Sequence, residues 1–419
     1  QMDITYEDAT ADSYKEIAPV FNDDEDQTRW FYFKSNGKMI KSDEGDRTKD
    51  KTINGKKYAF DQYGAMVAEW SLDSDDEKEA SDNVGHYAAS TNQTVASVSE
   101  AWQGKGNYAQ YSKAWKYFNS VEDGARVSKG WFKVVPAEYL NEGKYDDDED
   151  FWYYADGSGN LYAGEFKTIK GKKYAFRNDG RMLTGLKFIL EDDDNDNLTV
   201  YADDDGTYNF DNEDDFLDNA VAFYEPGGYK CYYFGGGDDG AMRTNKTTVE
   251  IDGENHNFYF EKSGSKKGAG VTGEKDDKLY QSGMLLKADS DDKYVVVDKT
   301  TKYTTNAAGE KVLDYVTYNK LDDAKEFMAQ DDVLESNTPV DADGKIDLGN
   351  NNKKKAEDIS EAYTIGYKAY GSSDMTTHEY FLVNTSGKVI DNRGKNKDGS
   401  DYYYVTDNSG KITNIYVED

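Results

Sequence analysis

GKKYAF stands at residues 55–60 and returns unchanged at residues 171–176. An Ile lies two positions before each copy (Ile53, Ile169), and each runs into a turn ending Gly-x-Met, giving KKYAFDQYGAM and KKYAFRNDGRM. The match continues without a gap, so that Tyr58, Met66 and Trp70 fall 116 residues before Tyr174, Met182 and Leu186. Self-similarity of this kind marks a repeat array, and the rest of the chain aligns on it.

Upstream of each copy lies an aromatic run closed by a glycine turn. WFYF (30–33) leads into KSNGKM, and WYYA (152–155) into DGSGNL. Such runs read as arms of β-hairpins, with Gly37 and Gly159 supplying the left-handed residue that closes each turn. SYKEIAP (13–19) aligns with GWFKVVP (130–136), which places the start of the array before Trp30. WKYFNSVEDGARV (115–127) adds a further hairpin.

Beyond Leu186 the pattern weakens. TVYADDDG (199–206) keeps a turn, and CYYFGGGDDGAM, HNFYFEKSG and KLYQSGM supply hairpin-like pieces around Tyr232, Phe258 and Tyr280. The apolar spacing of Phe216, Ala220 and Tyr224 predicts a helix over 216–224, and LDDAKEFMAQ predicts another over 321–330. EYFLVNTSGKV (379–389) and DYYYVTDNSGKI (401–412) close the chain with two more arms. The expected division is hairpin repeats over 1–72, an acidic insertion with one short helix over 73–113, and repeats over 114–310 that are degenerate after 190. An insertion with a helix and the basic triplet Lys353 to Lys355 follows over 311–375, then C-terminal repeats over 376–419. Five of the eight methionines (Met39, Met66, Met182, Met242, Met284) come just after a turn glycine, so that position is structurally specified.

A lone hairpin cannot bury both faces and is marginal in water, whereas stacked hairpins bury aromatic faces against one another. The expected fold class is therefore an all-β-dominated repeat protein, a solenoid of stacked β-hairpins with helical and loop insertions. Its 14% aromatic content sets the chain apart from disordered sequences despite only 37% hydrophobic residues. The 83 acidic and 50 basic side chains leave a net charge of −33, which repels nucleic acid and anionic lipid. Neither nucleic acid nor membrane insertion is expected, because no run approaches the roughly 18 apolar residues of a membrane span. Export would require a leader that has been removed before Gln1. Cys231 stands alone, which excludes an intrachain disulfide and a cysteine-ligated metal; it replaces a strand aromatic and is expected to be a buried thiol.

On WFYFKSNGKM, INGKKYAFDQYGAM, GWFKVV, WYYADGSGNL and IKGKKYAFRNDGRMLTG, the chain resembles the cell-wall-binding repeats of Gram-positive surface proteins, which include choline-binding, glucan-binding and clostridial toxin repeats. The resemblance is close over residues 28–72 and 114–188. It implies an extracellular or cell-surface protein whose ligand sits between consecutive hairpins. It further implies that the ligand is held by Trp131, Trp152 and Tyr154 with Phe166 and Tyr174, and in the first unit by Trp30, Tyr32, Tyr58 and Trp70, with Met39, Met66 and Met182 after the turns. Aromatic cages attract a quaternary ammonium by about 0.5–2 kcal/mol per ring, and flat rings also stack on sugars. Lys57 and Lys173 stand where a choline cage needs Trp, and an ammonium there repels a cation. The expected partner is thus a glycan or other wall polymer, with no cofactor.

DDDNDNLTVYAD (192–203) alternates Asp192, Asp194 and Asp196 like a calcium loop, but Asn197 and Asp203 replace the glycine and glutamate of that pattern, so a solvated acidic loop is expected. No histidine is placed beside a Ser or Cys nucleophile, and no carboxylate pair is marked. The sequence thus reads as a secreted, non-catalytic binding protein. Two alternatives stay open: a structural or adhesive stalk, and the wall-targeting part of a larger hydrolase. Exposed strand edges also allow self-association.

Overall fold

The computed structural model describes residues 2–4, 27–43, 48–61, 63–72, 108–137, 140–191, 198–200, 210–321, 323–368, 375–392 and 394–419. Antiparallel sheets of two, three and five strands dominate. The chain is an all-β-dominated repeat protein, with α-helices among the described residues at Tyr108–Lys113, Glu142–Asp146, Glu213–Gly227 and Ala324–Met328. It divides into two compact units. The first comprises Gln1–Gly185, Ile189–Thr207 and Phe234–Met242; the second comprises Leu186–Phe188, Tyr208–Tyr233 and Arg243–Asp419.

In the first unit both GKKYAF copies form the second arm of a hairpin. Lys49–Ile53 pairs with Lys56–Phe60, and Glu165–Ile169 with Lys172–Phe176. Two-residue loops close them, Asn54-Gly55 at φ 51° and 82° and Lys170-Gly171 at φ 48° and 81°. Positive φ at both positions is the type I′ geometry whose twist matches the flanking strands. Two further antiparallel pairs join Glu69–Leu72 to Trp115–Phe118 and Gly130–Val134 to Phe151–Ala155.

A second kind of turn is written in the sequence as Asp/Asn-x-x-Gly-x. In it the side chain of the first residue accepts from the backbone N–H groups of the third and fifth. Asp61 does so from Tyr63 (2.8 Å) and Ala65 (2.9 Å), and Asp156 from Ser158 (2.7 Å) and Asn160 (2.9 Å). Asn306, Asp341, Asn384 and Asp407 repeat the arrangement in the second unit. A short polar side chain thereby replaces the missing backbone partner, which is why Asp and Asn favour such turns.

Stacking follows one rule. The residue two positions after a turn glycine packs over the next turn glycine, where the absent Cβ leaves a notch. Through the first unit the pairs are Met39 on Gly64, Met66 on Gly124, Arg126 on Gly159, Leu161 on Gly180, and Met182 on Gly240. In the second unit Leu285 covers Gly387 and Val389 covers Gly410. The expected structural role of the post-turn methionine is borne out for Met39, Met66 and Met182; Arg126, Leu161 and Val389 fill the same place, and so does Leu285 rather than Met284.

The second unit has a core of Phe188, Phe216, Leu217, Val249, Phe258 and Phe260 among others. The helix expected over 216–224 runs over Glu213–Gly227, capped by Asn212 accepting from Asp215 and ended by Gly228 at φ 69°. Cys231 is buried, and burial pushes its thiol well above the ordinary range. The structure corrects the boundary drawn at residue 310, because Tyr294–Thr305 and Lys311–Leu321 form one long hairpin whose turn begins at Asn306. About half of the described residues of 311–375 are in strands; the helix expected over 321–330 covers only Ala324–Met328, since Leu321 ends a strand and Asp323 caps the helix. Asn306-Ala-Ala-Gly-Glu is the same turn as elsewhere, so the hairpin was written at that point. A three-stranded sheet orders Lys311–Leu321, Tyr294–Thr305 and Thr376–Asn384.

Candidate functional site

Strand alternation assembles the aromatic cluster of the first unit. Gly130–Val134 pairs with Phe151–Ala155 so that Trp131 faces Tyr154 and Lys133 faces Trp152. Residues opposite one another in an antiparallel pair share a face. Phe132 and Tyr153 therefore go to the other face and into the core with Trp70, Trp115 and Leu161. The next hairpin brings in Tyr174 and Phe176. Trp131 then sits among four rings, with centroid distances of 6.3 Å to Trp152, 5.1 Å to Tyr154, 4.8 Å to Tyr174 and 5.8 Å to Phe176. Tyr154 and Phe176 are buried, whereas Trp131, Trp152 and Tyr174 are half-buried. Burial, with Asp239 nearby, raises the Tyr174 hydroxyl above its ordinary value, so it remains a donor. The Trp152 Nε1–H is buried with no hydrogen-bond partner among the described residues.

Tyr162 links this cluster to a cavity of 260 Å³. Its ring stacks on Tyr154 at 5.2 Å with an interplanar angle of 8°, and it lines the cavity with Lys113, Asp156, Asn160, Glu165 and Lys167. Glu165 is shared between Lys113 at 3.5 Å and Lys167 at 2.8 Å, and the Lys167 ammonium lies 5.1 Å from the Tyr162 ring centre. Asn160 Oδ1 is buried without a hydrogen-bond partner among the described residues. An unfilled acceptor, two carboxylates, two ammoniums and a phenol edge can meet an uncharged polyhydroxyl ligand from several sides. Buried polar groups of this kind lose free energy until something hydrogen-bonds them.

The remaining candidates separate. Trp30 is 39% exposed and its Nε1–H reaches Glu122 at 3.3 Å. Tyr32 and Tyr58 are half-buried on the Ile40, Phe60 and Met66 cluster, and Met39 is half-buried. Trp70 is corrected to a core residue: only 4% exposed, it meets Trp115, Tyr117, Phe132 and Tyr153 and donates to the Val135 carbonyl at 2.8 Å. Met66 and Met182 are corrected likewise, since both are buried against turn glycines. Phe166 stands outside the Trp131 ring contacts, with Phe234 at 6.3 Å and the Lys173 ammonium 4.4 Å from its ring centre. Lys173 therefore places a cation over an aromatic face. Asp192, Asp194 and Asp196 lie outside the described residues, among which no group of three His, Cys, Asp or Glu is placed to hold a metal. Among them too, no helix is long and apolar enough to cross a membrane.

Tyr162 was not singled out from the sequence, yet a signal existed. It occupies the column of Ile40, Val67 and Leu183, the only aromatic among four aligned residues.

No protein-family model matches the chain, and no curated protein does. Solved structures with partial similarity include choline binding protein F from Streptococcus pneumoniae, at 16% identity and TM-score 0.32 over 62% of this chain and 55% of that one. The modular autolysin LytC from the same organism matches at 18% identity and TM-score 0.26, over 64% of this chain and 38% of that one. CbpJ, also from Streptococcus pneumoniae, matches at 17% identity and TM-score 0.23, over 69% of this chain and 77% of that one. The chain thus spans 55% and 38% of the first two proteins' lengths.

Proposed function

We propose that this chain is a non-catalytic, extracellular binding protein that holds a cell-envelope saccharide on the Trp131–Trp152–Tyr174 cluster and the adjoining Tyr162 cavity. The carrying observation is that the half-buried Trp131, Trp152 and Tyr174 rings adjoin, through Tyr162 stacked on Tyr154, a cavity lined by charged and polar side chains. Rings supply a platform for the apolar face of a sugar, and the cavity's Lys113, Asp156, Glu165 and Lys167 meet its hydroxyls. Choline is disfavoured at the Phe166 ring, where Lys173 already sets an ammonium. A structural stalk is the second reading, favoured by the burial of Trp70, Met66 and Met182.

Retention on insoluble Gram-positive cell walls and on insoluble α-glucan, each with and without excess choline, tests the proposal. Choline-insensitive retention on either polymer, lost in Trp131→Ala, is expected. Elution by choline would make the ligand a quaternary ammonium, and no retention would leave the stalk.

A further inference from the structure

The second unit carries a separate groove of 640 Å³, open to solvent, on the long hairpin and its neighbours. Lys299, Thr301 and Tyr303 line it from the central strand and Leu313 from the adjoining arm, with Glu379 and Lys411. The volume falls within the range typical of small-molecule sites, roughly 300–1,000 Å³.

Its charge runs against that of the molecule. Three lysines, Lys299, Lys368 and Lys411, meet one carboxylate, Glu379, so the lining is 3 − 1 = 2 positive in a chain of net charge −33. Glu379 is held between Lys299 at 3.1 Å and Lys411 at 3.5 Å. Burial works to raise its carboxyl, but the Lys299 hydrogen bond and the two ammonium charges prevail and hold it below the usual range. It therefore stays an acceptor. Lys411 is further positioned 4.6 Å from the ring centre of Tyr367, whose hydroxyl is fixed on the Ile412 carbonyl at 2.7 Å. Leu313 is 59% exposed, leaving an apolar surface beside the half-buried Tyr303, over whose ring the Lys311 ammonium lies 3.7 Å from the centre.

A ligand that uses all of this has an apolar face for Leu313, hydroxyls for Glu379 and Thr301, and an anionic group for the lysines. A neutral sugar leaves the excess positive charge unanswered, and a simple anion leaves the apolar wall unused. We propose that this groove binds an acidic saccharide, a sugar bearing a carboxylate, at a site independent of the Trp131 cluster.

Calorimetric titration of the full chain with tetragalacturonate and with neutral maltotetraose is the test. Saturable binding of tetragalacturonate is expected, weakened about tenfold in Lys411→Met as a charge-assisted contact is lost, and similarly in Leu313→Asp. Leu313 is exposed enough that its substitution leaves the fold intact. Trp131→Ala should leave the affinity unchanged, which separates this site from the wall-binding one. The proposal is overturned by no saturable binding, by equal affinity for maltotetraose, or by binding that survives both groove substitutions.

Discussion

A Cβ on Gly64 would lie 2.7 Å from the sulfur of Met39. The post-turn side chain of one hairpin thus occupies the space that the next turn glycine leaves open, and the positive φ of 87° adds a second reason for glycine. Gly55 needs glycine only for its φ of 82°, because nothing lies within 4 Å of its notional Cβ. Gly64→Ala should cost about 2–4 kcal/mol, from left-handed strain plus overpacking, and Gly55→Ala only about 1–2 kcal/mol. Urea unfolding of the two variants distinguishes them. Equal midpoints would show that the notch is not a packing contact, and truncating Met39 to Ala in the Gly64→Ala background should recover part of the loss.

Two tryptophans that look alike in the repeat should behave differently. Trp70→Ala opens a cavity among four aromatic rings and leaves the Val135 carbonyl without its indole donor, and should destabilise by about 3–5 kcal/mol. Trp131→Ala removes a half-buried ring, should unfold at a midpoint closer to that of the parent, and should abolish retention on wall polymer. Thermal melts and pull-downs on the same preparations decide it; a Trp131 variant that unfolds first would make that residue core.

Asp179 makes the first unit acid-sensitive. Burial works to raise its carboxyl, but the buried Arg181 at 2.6 Å, Arg177 and a hydrogen bond from Asn141 hold it below the ordinary value. A group depressed in the folded state stabilises above its unfolded value, near 3.9, and loses that contribution as pH falls through the folded one. Asp179→Asn should therefore flatten the acid limb of the stability–pH curve. Near pH 7 it should cost about 3–5 kcal/mol, since it strands the Arg181 charge. An unchanged acid limb would assign acid unfolding to other carboxylates.

Hairpin arms and glycine turns were legible in the sequence because each is set by neighbours a few residues apart. KKYAF reads as a strand, and the glycine that opens each copy, after Asn54 and Lys170, closes the loop. Which rings stay accessible was not legible. Trp70 and Trp131 both follow glycine turns by six or seven residues, and the register of Glu69–Leu72 against Trp115–Phe118 sends Trp70 inward. The hairpin across residue 310 escaped for a different reason. Val312, Leu313 and Asp314 of its second arm are exposed, so the sequence there lacks the alternation that a half-buried strand displays. Arg126 was hidden by chemistry, a basic residue in a methionine's place, lying on Gly159 while its guanidinium reaches Asp50 at 3.1 Å.

The Asp/Asn-x-x-Gly turn yields a prediction in which shape and charge separate. Asp407 accepts from the Ser409 and Lys411 N–H groups at 2.8 and 3.0 Å and from the Ser409 hydroxyl at 2.7 Å. Burial works to raise its carboxyl, but these hydrogen bonds and Lys411 hold it below the usual range. Asp407→Ala should cost about 1–2 kcal/mol, as two backbone donors lose their partner. Asp407→Asn keeps an acceptor in the same place, as Asn384 does in the neighbouring turn, and should recover most of that loss near pH 7. Its sign with pH is opposite to a simple loss: as pH falls through the folded value of Asp407 the parent weakens and the Asn variant does not, so their unfolding midpoints should converge in acid. A gap between them that persists at the lowest pH where both remain folded would mean that the charge of Asp407 is not what separates them and that asparagine does not reproduce the hydrogen bonds of this turn.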